Sequence, residues 1–255
     1  MSSDSSSNTS SPGASPRATW GVLPAIGISL GAFVGAQFVA VMALTLAPQL
    51  FGMHSKGWAS TTLGQFIFVV MSEVITMTIL WWFIRRRGGL QALGFARRPT
   101  WYDVGYALVA FAVYLALLIA ATKLAELFFG LNLDQKQELG FDEVVGGVQK
   151  LLALISLVVL PPIVEEIVFR GFLYGGLRRT MPFVWATLGT SLLFAAPHLL
   201  ESSSGLLWIA GLDTFLLSLV LCYLREKTGA LWASILVHGL KNGLAFLYLY
   251  IIVIG

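Results

Sequence analysis

Seven stretches of this chain are apolar for long enough to cross a lipid bilayer, and few architectures are compatible with that. They lie at about 21–46, 63–84, 102–129, 150–170, 183–200, 205–224 and 230–254. A hydrocarbon core about 30 Å thick takes roughly 20 apolar residues per spanning helix. Inside it every backbone N–H and C=O must be satisfied by the protein itself, which leaves helices or closed barrels, and runs of this length read as helices. The expected fold is therefore all-α, a polytopic transmembrane helical bundle of about seven spans. The charged share of 11%, against about 25% in soluble domains, agrees.

Residues 1–19, rich in Ser, Asn, Gly and Pro, bury too little to offset the entropy of ordering and read as a disordered tail. The first apolar run is far longer than the apolar region of a cleaved signal peptide and reads as a retained span. The net charge of +3 does not imply a nucleic-acid partner, because the basic residues sit in short clusters between apolar runs. Arg85, Arg86, Arg87, Arg97 and Arg98, then Arg178 and Arg179, then Arg225 and Lys227, all fall on one side of the bundle, whereas the opposite loops carry little beyond Lys56 and Lys136. The positive-inside rule makes the first side cytoplasmic, with the N-terminus inside and the C-terminus outside, in a multi-pass protein of the plasma membrane. The lone Cys222 lies within an apolar run, so neither a disulfide framework nor a thiolate metal site is expected. The chain ends in Ile-Gly, without a prenylation signal.

Ionisable side chains inside apolar spans are costly and usually face the bundle interior, where they mark function. Here they concentrate in the C-terminal half, giving an expected division into N-terminal helices at 20–148 and a core at 149–255 that carries the candidate functional groups. Pro161 and Pro162 interrupt the fourth run and predict a break or sharp kink, with a fresh helix from about 162 to 179. Within it Glu166 and Arg170 share a face at i, i+4, where an ion pair forms naturally, while Glu165 points about 100° away. Phe194 and His198 share a face, as do His238 and Asn242. Two of only three histidines thus lie inside spans, one with an amide a turn away.

Residues equidistant from a tight turn lie at similar depth on antiparallel neighbours. Glu165 and His198 are each about 25 Å of helix from the turn at 180–182, so they can face each other. His238 is about 17 Å from the turn near Lys227, somewhat shallower, and still within reach of one pocket. Asp213 and Lys241 are equidistant from that same turn, which predicts an intramembrane ion pair of structural role. Glu73, without a local partner, either lines the same cavity or meets an arginine.

Glu-Glu-x-x-x-Arg at 165–170, Phe-x-x-x-His at 194–198 and His-x-x-x-Asn at 238–242 together resemble the CAAX protease and bacteriocin-processing family, with the motifs in the same order on successive spans. The resemblance implies an intramembrane endopeptidase acting on a membrane-associated peptide or protein, with Glu165, His198, His238 and Asn242 as catalytic groups and Glu166 and Arg170 in support. Amide hydrolysis needs an activated water and a stabilised oxyanion, and two versions are open. In one, Glu165 and His198 deprotonate water while His238 and Asn242 donate to the oxyanion. In the other, Glu165, His198 and His238 hold a divalent metal, zinc in the first instance, that acidifies the water. Rival readings are a transporter or proton relay, built from the same residue types, and a non-catalytic immunity protein. The topology has its own test. A cysteine at Arg86 (Arg86→Cys) should react with an impermeant maleimide from the cytoplasmic face, and one at Lys56 (Lys56→Cys) from the opposite face.

Overall fold

The computed structural model describes residues 18–50, 57–130, 141, 144, 146–200 and 205–253, and every regular element among them is helical. Six helices are long and apolar enough to cross a membrane, and the protein is a multi-pass integral membrane protein. We number the long helices α1 (Val22–Leu50), α2 (Thr62–Ile84), α3 (Trp101–Phe129), α4 (Gly147–Arg178), α5 (Phe183–His198), α6 (Trp208–Thr228) and α7 (Trp232–Leu247). The count is one below the expected seven because α5 has 16 residues, about 24 Å of helix. Pro197, which has no N–H to donate, sits in its last turn, and α5 stops at His198. Most of the expected tail lies outside the described residues, but its last positions are held: Ala18 is buried and the Thr19 carbonyl accepts from Arg179 Nη1 at 2.6 Å, while next to them the Trp20 indole N–H donates to the Phe172 carbonyl at 2.9 Å.

Large apolar side chains cover the outside, as lipid requires. Exposed aromatics gather at both ends of the bundle, Trp82, Trp101, Tyr102 and Trp185 beside the arginine clusters and Phe128, Phe129, Trp208 and Tyr248 at the other end. This is the placement of interfacial belts. The centre is the second half of α4, where every residue from Glu166 to Leu173 is buried. Phe169 and Phe172 dock it to its neighbours: Phe33 of α1 and Phe194 of α5 meet Phe169 edge-on, and Trp20 stacks on Phe172 at 4.7 Å. At Gly176 a Cβ would stand 2.4 Å from the Ala25 methyl, so α1 approaches α4 this closely only because that residue is glycine.

Of the break or sharp kink expected at Pro161 and Pro162, the break does not occur. α4 instead widens into a π-type turn at Ile155–Val159, resumes as α-helix at Leu160–Glu165 with the prolines in its first turn, and widens again over Glu166–Leu173. Proline's fixed φ suits a first turn, and the wider turn before it moves the hydrogen-bond register to Leu160 N–H on the Ile155 carbonyl.

On the far side of α4, helices α3, α6 and α7 are held by one polar cluster. Asp213 accepts from the Tyr114 hydroxyl and lies 3.3 Å from the Lys241 ammonium, the pair expected from their equal distance to the turn. Asp213→Leu should strand Lys241 within the span at a cost of about 2.5–3.5 kcal/mol, read as a lower unfolding temperature in detergent. The double variant Asp213→Leu/Lys241→Leu should regain most of it.

Candidate active site

Consecutive residues on a helix diverge by about 100°, and Glu165 and Glu166 use that divergence to serve two environments. Glu166 points inward and is fully buried with Arg170, whose Nη1 donates to Glu166 Oε1 at 2.9 Å. The same oxygen lies 3.0 Å from His238 Nδ1, which therefore carries its hydrogen and donates. Glu165 points instead to a cavity of about 460 Å³, which it lines together with His198. Its Oε2 is 3.8 Å from His238 Nε2, so one imidazole spans the two carboxylates, with its Nδ1 on Glu166 and its Nε2 toward Glu165.

Phe194 is the hub of this cluster. The Arg170 guanidinium lies over its ring, 4.2 Å from the centroid, while His198 and His238 approach it at 5.3 and 5.8 Å. The face a desolvated guanidinium presents to an aromatic ring is stabilised electrostatically. Phe194 also accepts through its backbone carbonyl from His198 Nδ1 at 3.0 Å. A carbonyl only accepts, so Nδ1 holds the hydrogen and a neutral His198 ring keeps its lone pair on Nε2. The three sequence motifs thus converge through one aromatic side chain, whose spacing from His198 was visible but whose place between both histidines was not.

Asn242 has a different destination. Its Nδ2 donates to the Leu157 carbonyl at 2.8 Å. In an α-helix that carbonyl would accept from residue 161, and in a π-type turn from residue 162; both are proline. Inside a membrane an unmet carbonyl is costly, and α7 meets it with a side-chain amide. Close packing helps: the Cβ position of Gly243, next to Asn242, is 3.6 Å from Val158. Of the four residues expected to be catalytic, then, Glu165 and His198 line the cavity, and His238 stands behind Glu165. Asn242 bonds the wide turn of α4, and neither it nor His238 belongs to the cavity wall.

The cavity reaches beyond the motifs. Phe33 and Gln37 of α1 and Gln65, Ser72 and Glu73 of α2 form its opposite wall. Glu73 therefore lines the cavity, one of the two placements expected for it. Among the described residues no three His, Cys, Asp or Glu side chains converge as a metal-binding group, and no step below runs through a metal.

Residues 147–244 match the family described as type II CAAX prenyl endopeptidase Rce1-like. The chain carries an Rce1-like domain. The family is one of proteases, and membership implies intramembrane protease activity with a protein substrate. The matched segment contains all three motifs and the widened α4, and it leaves α1, α2 and α3 outside. No curated protein and no solved structure matches the chain.

The role of Asn242 within the Rce1-like domain is open to a direct test. Asn242→Leu should cost about 1–3 kcal/mol by orphaning the Leu157 carbonyl, measured as thermal unfolding in detergent. Adding Pro161→Ala should recover much of it, because residue 161 then has an N–H to offer.

Proposed function

We propose that this protein hydrolyses a peptide bond in a membrane-associated peptide or protein, with Glu165 and His198 activating the water. The observation that carries the proposal is that these two side chains, from different helices, face one cavity large enough for a peptide segment. Water held between them loses a proton to the Glu165 carboxylate or to His198 Nε2 as its oxygen bonds to the carbonyl carbon. The C–N bond then breaks as that proton passes to the leaving nitrogen. His238 acts behind Glu165 as a positioning residue, its ring orientation fixed by Glu166, which Arg170 holds in turn. This is the logic of a base oriented by a second group. Asn242 keeps the wide turn of α4 in place about two turns before Glu165.

On this reading the chemistry lies in residues 149–255 and the opposite cavity wall comes from 20–148. With the arginine clusters cytoplasmic, the cavity's lining residues Gln65, Glu165 and His198 lie toward the outer half of the membrane. A secreted or surface-exposed peptide is then easier to deliver than a cytoplasmic prenylated CAAX tail. In cleavage of a membrane-delivered peptide library, Glu165→Gln and His198→Ala should each lower the rate by about 10²–10⁴-fold at unchanged unfolding temperature. Wild-type cleavage should persist in a chelator; its loss there would assign water activation to a bound metal instead. Ion or proton flux in liposomes that the variants alter, with no peptide cleaved, would replace the protease by a transporter.

A further inference from the structure

The cavity wall outside the Rce1-like domain has its own chemistry. Glu73 of α2 and Gln37 of α1 line the cavity, and neither has a hydrogen bond or ion pair among the described residues. The neighbouring Gln65 uses its amide N–H on the Ala59 carbonyl at 2.9 Å, leaving its own oxygen to accept. Across the cavity stand Glu165 and His198. Among the described residues no lysine or arginine lines this cavity. Arg170 is spent on Glu166, and Lys241 on Asp213.

Glu73 adds a second carboxylate to the cavity that Glu165 lines, and among the described residues no cation pairs with Glu73, which sets the sign of what this wall will accept. An ionisable group at this depth is stabilised by pairing or by lining a wet cavity. A substrate's free C-terminal carboxylate would add a third negative charge there. A lysine or arginine side chain would bring the missing counter-charge and hydrogen-bond donors to Glu73, Gln37 and Gln65, all acceptors.

We propose that Glu73, with Gln37 and Gln65, forms a specificity subsite that takes a lysine or arginine side chain of the peptide substrate while Glu165 and His198 face the scissile bond. The inference rests on the protease reading for its substrate, but the subsite can be tested without cleavage. The probes are fluorescent apolar peptides with one lysine moved along the sequence, and matched peptides with norleucine or acetyl-lysine in its place. Binding is measured to full-length protein in nanodiscs carrying His198→Ala, which keeps both cavity carboxylates.

At one lysine position binding should be about tenfold tighter than for norleucine or acetyl-lysine. Glu73→Gln, nearly isosteric, should bring that ratio close to one while leaving norleucine binding unchanged. The acetyl-lysine comparison needs no change at Glu73, so poor folding of that variant would not spare the proposal. A lysine preference absent from every position, or retained in Glu73→Gln, would overturn the subsite. A lysine preference in a wild-type protein that cleaves none of these peptides would leave the subsite standing and count against the protease.

Discussion

Glu166 Oε1 accepts from Arg170 and from His238 in a place where neither water nor lipid could serve as partner. Burying a carboxylate and a guanidinium costs several kcal/mol per ion unless the geometry returns it, and removing one member leaves the other stranded at about 3–5 kcal/mol. The packing around this oxygen is correspondingly tight. Phe194 covers the guanidinium, Phe169 covers Phe194, and α1, α5 and α7 are drawn onto the same stretch of α4. Because the hydrogen bond fixes His238 Nδ1 as the donor, it also decides which nitrogen turns toward Glu165. The interaction that holds the core is thus the one that orients the candidate catalytic carboxylate's neighbour.

The wide turns of α4 connect this core to the cavity. A π-type turn inserts extra backbone into a helix and is tolerated where something outside the helix meets the groups it releases. Here the prolines take away both possible donors to the Leu157 carbonyl, and Asn242 returns one from α7. The same helix α7 supplies His238 one turn earlier, so the side chain that satisfies the backbone and the one that spans the two glutamates are positioned by a single rigid element. A histidine and an asparagine at i, i+4 would be hard to place in any other way: each addresses a different consequence of the same irregular stretch.

Much of this was legible in the sequence because charge inside an apolar run has few places to go. The Glu166–Arg170 pair followed from helical spacing, and the shared cavity of Glu165 and His198 and the Asp213–Lys241 pair from equal distance to a turn. Those inferences needed helical spacing and short connections, and the Glu166–Arg170 spacing survived even inside the widened stretch Glu166–Leu173. They ran short at Pro161. Proline usually ends or kinks a helix, so a break or sharp kink was expected there, but a widened turn kept the chain helical and shifted its register. That shift placed His238 behind Glu165, a relation that depth arithmetic on straight helices could not see. Pro161 and Pro162 do mark the Leu157 carbonyl as one without a helical donor, but nothing in a one-dimensional pattern says that Asn242 is the side chain that meets it.

The two halves of the chain carry different kinds of information about the cavity. The Rce1-like domain contains the groups able to polarise water, and they are held by contacts that leave little freedom: Glu166 and Arg170 are fully buried, and His238 nearly so. The opposite wall comes from α1 and α2, whose polar side chains Gln37, Ser72 and Glu73 stand among phenylalanines and have no comparable network behind them. A hydrolytic site in a membrane needs both, because a rigid catalytic face in a dry cavity would have no water to activate. Residues that only wet and shape the cavity can differ in charge without disturbing the core at Glu166. The N-terminal helices are therefore the physical place where a common chemistry could be given a particular substrate.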